Sequence, residues 1–113
     1  MKEISLAELY EYYLDTVGRC TSALLHQSDE DIGYNLFEEF DVGAQSFLHE
    51  DNLAKLYEAG YIDEETLAVS KGVRVRWFAL QSRSWTIEEI KSSMEWRELF
   101  GLCDWLKLKS EKE

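Results

Sequence analysis

Proline is missing from this chain altogether, and glycine occurs only six times in 113 residues. An all-β sandwich needs such punctuation at its reversals, so its scarcity leaves long helical runs as the natural reading. Cysteine occurs twice, as Cys20 and Cys103, too few and too far apart for a disulfide framework or a CxxC metal site. Both fall on apolar helical stripes and read as ordinary reduced core residues. There is no signal-peptide core at the start and no apolar run of roughly 18 residues, which predicts a cytoplasmic protein. Positive charge is also scarce. Twelve Lys and Arg stand against 23 Asp and Glu, a net charge of −11, which opposes binding to nucleic acid or an anionic membrane and favours a basic partner.

The motifs of catalysis are missing as well. GxGxxG and GxxxxGK[ST] do not occur, so nucleotides have no glycine cradle, and neither HExxH nor any Glu-x-x-His pair is present. The two imidazoles, His26 and His49, each fall at a predicted helix end, where capping or solvation is the simpler role. Asp29-x-Asp31 starts like a calcium loop. Gly33 comes one residue early, however, and Phe40 stands where the loop needs a bidentate glutamate. The expectation is a protein that is not an enzyme and holds no metal or cofactor.

The chain does have acid, concentrated between Ser28 and Glu65. Asp29, Glu30, Asp31, Glu38, Glu39, Asp41, Glu50, Asp51, Glu58, Asp63, Glu64 and Glu65 meet only Lys55, so this stretch alone carries the charge of the whole chain. Ile32, Leu36, Phe37, Phe40, Ala44, Phe47 and Leu48 recur there at helical spacing, which predicts a folded anionic surface and not a solvated tail. From Thr66 to Ile87 no acid occurs, and Lys71, Arg74, Arg76 and Arg83 read as internal neutralisation of the acidic half. The partner-binding candidates are Asp29, Glu30, Asp31, Tyr34, Glu38, Glu39, Asp41, Glu50, Asp51, Tyr57 and Glu58. Carboxylates would steer a cationic partner, and aromatics such as Tyr34, Phe37, Tyr57 and Tyr61 could anchor it, although most of these four rings are expected in the core.

Periodicity predicts a single all-α domain, residues 1–113, of five to six helices in a compact bundle. Ser5 and Glu8 form a capping box for a helix over about Leu6 to Leu25, with Leu6, Tyr10, Tyr13, Val17, Cys20 and Leu24 as its core stripe. Glu8, Glu11 and Asp15 lie on another side as a solvated face. Ser28 caps a second helix, and Asp41 either continues it or starts a new one. Asp51 caps a short helix ended by Ala59-Gly60-Tyr61 in a Schellman turn. A longer helix then runs from Asp63 to about Gln81, with a strand over Val73 to Trp77 as the rival reading. Thr86 with Glu89, and Ser92 with Glu95, form further capping boxes ahead of a last helix that frays from Lys107.

In three stretches the chain resembles the small acidic helical immunity proteins that bacteria pair with toxin domains in contact-dependent growth inhibition and related polymorphic toxin systems. These are Tyr34-Asn35-Leu36-Phe37-Glu38-Glu39-Phe40-Asp41, Leu53 to Asp63 with its Ala-Gly-Tyr-Ile-Asp turn, and Ser93-Met94-Glu95-Trp96. The resemblance implies a cytoplasmic inhibitor that binds one toxin domain and covers its active site. A nuclease fits that role, because its cleft must be basic to hold phosphates. The alternative is an acidic helical adaptor or regulatory module that inhibits nothing.

Overall fold

The computed structural model describes residues 4–112. Among them every regular element is helical, and six helices enclose one core. Helix α1, Leu6–Gly18, begins at the expected Ser5–Glu8 capping box. It ends well before Leu25. The Asp104 carboxylate accepts the Ser22 N–H at 2.9 Å, and Ser22–His26 becomes a separate 3₁₀ turn. Leu6, at the exposed start of α1, is not part of the core, whereas Tyr13, Val17, Cys20 and Leu24 are.

Ser28 caps α2, whose first turn, Asp29, Glu30 and Asp31, matches the positive end of the helix dipole. The rod passes Asp41 without a break, in three contiguous parts: Asp29–Tyr34, a π-helical turn Asn35–Phe40, and Asp41–Ser46. Spacing explains the π-turn. Ile32, Leu36, Phe40, Ala44 and Leu48 are all fully buried at steps of four. An α-helix of 3.6 residues per turn would swing such a stripe about 40° per step. The wider turn, closed by Asp41 N–H to Leu36 O, and the later Leu48 N–H to Gly43 O bond of the same span counter that drift.

Helix α3, Glu50–Glu58, is capped by His49, whose Nδ1 accepts the Asp51 N–H at 3.1 Å. Asp51 was the expected cap, but it sits inside the first turn. The Schellman ending is present in full: Gly60 has φ +85°, its N–H reaches Tyr57 O, and Tyr61 N–H reaches Leu56 O. Asp63 caps α4, Glu64–Leu80, which is helical through Val73 to Trp77. The Thr86–Glu89 box opens α5, Ile87–Ser92. Ser93 and not Ser92 caps α6, Met94–Glu111, since the Ser92 hydroxyl turns back to Glu88 O. The last turns of α6 hold because Lys109 pairs with Asp63 and Glu65; Glu113 lies outside the described residues. Pairing of Arg76 with Glu98, and of Lys109 with Glu65, makes α4 and α6 antiparallel. Where α2, α4 and α6 converge, Trp96 is ringed by Phe37, Trp77, Trp85 and Phe100.

Candidate functional site: an acidic helical ridge

Steps of four hold on every side of α2, which therefore presents four lanes. The buried lane is described above. A second lane faces α1. Asn35 Oδ1 accepts from Arg19 Nη1 at 2.9 Å, Gly43 lies against Thr16, and Phe47 stacks on Tyr12 at 4.9 Å. A third faces the C-terminal helices through Gly33 near Ile87, Phe37 near Trp77 and Trp96, and Asp41. The fourth, Glu30, Tyr34, Glu38, Val42 and Ser46, is exposed throughout.

This fourth lane is the candidate site. Tyr34 is 49% exposed and Val42 59%. The Tyr34 hydroxyl donates to Glu39 Oε1 at 2.6 Å across five residues, a reach that suits the π-turn, and that carboxylate pushes the Tyr34 pKa up. Among the described residues, no Lys or Arg side-chain nitrogen lies within 4.0 Å of a carboxylate oxygen of Glu30, Asp31, Glu38 or Glu39. Helix α1 runs alongside and adds Asp15, joined to the ridge through Arg19 and Asn35. It also adds Tyr12, 44% exposed on the Phe47 ring. Sequence reasoning missed Tyr12 and Val42. Tyr12 lies off the apolar stripe of α1, which is the signal that could have found it.

The other candidates have different surroundings. Asp29 is paired with Lys91 at 2.6 Å. Asp41 is half-buried, with one oxygen accepting the Trp77 indole N–H and the other Gln45 Nε2, both at 2.9 Å, so its carboxylate is engaged inside the chain. Glu50 and Asp51 open α3 next to the far end of the ridge, where Asn52 Nδ2 donates to Ser46 O at 2.7 Å. Tyr57 and Glu58 are exposed at the other end of α3. Exposure of Tyr34, Phe37 and Tyr57 corrects the expectation that most of these rings are core, and only Tyr61 is half-buried, on Tyr10.

Two expectations about charge are also corrected. The twelve carboxylates do not share one face. Glu64 lies thirteen residues, about 20 Å, along α4 from Trp77, the partner of Asp41. Asp63 and Glu65 form a separate cluster with Lys109, which holds the Asp63 carboxyl far below the usual range. Nor do the bases of Thr66 to Ile87 neutralise the acidic half. Arg76 pairs with Glu98 and Arg83 with Glu89, both C-terminal acids, while Lys91 and Lys109 reach back to the acidic stretch. Nine of the twelve carboxylates thus have no Lys or Arg partner among the described residues.

Among those residues no group of three His, Cys, Asp or Glu is placed to hold a metal ion, and no helix is long and apolar enough to cross a membrane. Compared with known proteins, the chain matches no family model, no curated protein and no solved structure.

Proposed function

We propose that this chain is an immunity protein, which binds a cognate toxin domain in the cytoplasm and occludes its basic active-site cleft. A nuclease is the toxin class whose cleft best matches the charge. The observation that carries the reading is the exposed lane of α2, where carboxylates without basic partners flank the exposed Tyr34 and Val42. Unpaired acid on a rigid ridge costs self-repulsion in the free protein and gains most from a cationic surface. The apolar and aromatic side chains among those acids supply the anchor that a specific contact needs.

The test starts from the toxin domain encoded beside this gene, where an immunity protein's target is expected. Purified, that domain should lose nuclease activity stoichiometrically when the chain is added. Association near 10⁷ M⁻¹s⁻¹ or faster at low salt should slow as salt is raised, with dissociation changing less, as steered encounter requires. Glu30→Lys with Glu38→Lys should weaken the complex while helical circular dichroism is unchanged. A complex that forms without inhibiting would favour an adaptor. Rates indifferent to salt would place docking on another surface.

A further inference from the structure

The outer face of α4 carries the opposite sign. Ala68, Lys71, Val75 and Ala79 are all exposed, Val75 at 68%, on the side away from the buried Thr66, Ser70, Val73, Trp77 and Leu80. Arg74 flanks them, its guanidinium 4.9 Å from the ring centroid of the exposed Phe78. Among the described residues neither Lys71 nor Arg74 has a carboxylate within 4.0 Å, and no acid occurs from Thr66 to Ile87. In a chain of net charge −11 the middle of this face, from Lys71 to Phe78, is an unneutralised basic, partly apolar surface, bounded by Asp63, Glu64 and Glu65 beside Ala68 and by Glu95 and Glu98 beside Ala79.

We infer that this face docks the acidic ridge of a second copy of the chain, head to tail. Both surfaces are helix ridges of matching length: Glu30 to Val42 spans twelve residues and Ala68 to Ala79 eleven, each about 17 Å. Each combines exposed apolar side chains with charges of one sign, and the signs are opposite. Laid antiparallel, such a contact sets Glu38 against Lys71 and Arg74 and the neighbouring Tyr34 against Val75 and Phe78, one helical turn further along each ridge. Two unlike patches meet, so the contact is heterologous. One pair of helix ridges is a small interface, which gives weak association.

Net charge shapes the salt dependence. Two bodies of charge −11 repel over their whole extent, and the smallest dimension of the molecule is 24 Å. At about 0.15 M salt the Debye length is about 8 Å, so this long-range repulsion is screened while pairs in contact persist. Near 1 M, where the length is about 3 Å, the contact pairs weaken too. Association is therefore strongest at intermediate salt, a maximum that a purely apolar contact does not show.

Sedimentation equilibrium of the full chain, up to about 1 mM across that salt series, is the test. The weight-average mass should exceed the 13.3 kDa monomer near 0.15 M and fall toward it at both extremes. Glu30→Lys with Glu38→Lys reverses two charges and should weaken association by about a hundredfold, on the order of tenfold per reversed site; Lys71→Glu with Val75→Glu reverses one charge and places a second acid in the apolar contact, and should weaken it by at least about tenfold. An equimolar mixture of the two variants should associate again, because each then offers a complementary surface to the other. All four positions are exposed, and circular dichroism checks that the variants fold. Monomers at every salt, or a mixture that stays monomeric, would overturn the inference. So would a ridge variant that still self-associates. The inference shares its acidic ridge with the immunity reading but fails separately, since a strictly monomeric chain could still inhibit its toxin.

Discussion

Replacing Gly43 with alanine tests the crossing that holds the two halves of the acidic surface together. In an unobstructed helix, Gly→Ala stabilises by about 0.8–1.0 kcal/mol. At Gly43 a Cβ would overlap the Thr16 side chain, including the Thr16 Cβ at 2.9 Å. Thr16 cannot turn aside, because it is buried and its hydroxyl donates to Tyr12 O at 2.8 Å. Overpacking of this kind costs about 1–3 kcal/mol, which outweighs the helix gain, so the net effect is a loss of up to about 2 kcal/mol. Gly101 is the control: it lies exposed within α6, and a Cβ there meets nothing within 4 Å. Gly101→Ala should therefore stabilise by about 0.5–1 kcal/mol. Urea unfolding followed by tryptophan fluorescence separates the two, and at roughly 4 °C per kcal/mol the melting temperatures should move in opposite directions. Thr16→Ala in the Gly43→Ala background removes the two closest atoms and should recover part of the loss. Equal stabilisation by both glycine substitutions would refute the steric argument. The same clash pushes α1 from α2 and displaces Tyr12 and Asp15, so partner affinity should fall with Gly43→Ala and not with Gly101→Ala.

Lys109→Met should change how stability depends on acid. The Asp63 carboxyl titrates lower in the folded chain than in the unfolded one, chiefly through its bond to Lys109, so its contribution is present above about pH 4 and is lost as pH falls through the folded value. Thermal melts should show the variant less stable at neutral pH, with the gap narrowing in acid; a gap constant with pH would assign the effect to packing of the lysine stem. Tyr13→Phe leaves the buried Ser70 hydroxyl without its 2.7 Å partner and should cost about 1–2 kcal/mol in urea unfolding. Adding Ser70→Ala should cost less than it does alone, whereas additive losses would deny the bond its role. Burial beside Cys103 raises the Cys20 thiol well above its ordinary range, so both free cysteines should react with a thiol reagent only at the rate of opening. Fast reaction under native conditions would contradict the packing.

Helix positions were legible because caps and apolar steps are local. Ser5 with Glu8, Thr86 with Glu89, and Gly60 all act as their sequence signatures predict. Two misplaced caps, His49 for Asp51 and Ser93 for Ser92, were settled between near neighbours, whereas the larger failures depend on groups distant in sequence. Asp104 ends the reach of the first helix at Ser22, the Trp77 indole engages Asp41, and Lys109 steadies the C-terminal turns. The candidate site was legible as charge but not as a surface. Composition could not show that Glu64 and Glu30 belong to different parts of the molecule, nor that Tyr12 joins the ridge from α1.

Register in α2 separates two tasks that a 3.6-residue helix would entangle. Because inward, lateral and outward positions each repeat every fourth residue, Glu30, Tyr34, Glu38, Val42 and Ser46 can be exchanged without altering a buried or cross-helix position of the same rod. A scaffold wired this way can change its outer surface at five sites and keep its architecture. Deleting a single residue from Asn35–Phe40 would close the wide turn to an ordinary α-helical one: the downstream residues would face nearly as before, but the unbroken four-residue repeat would be lost.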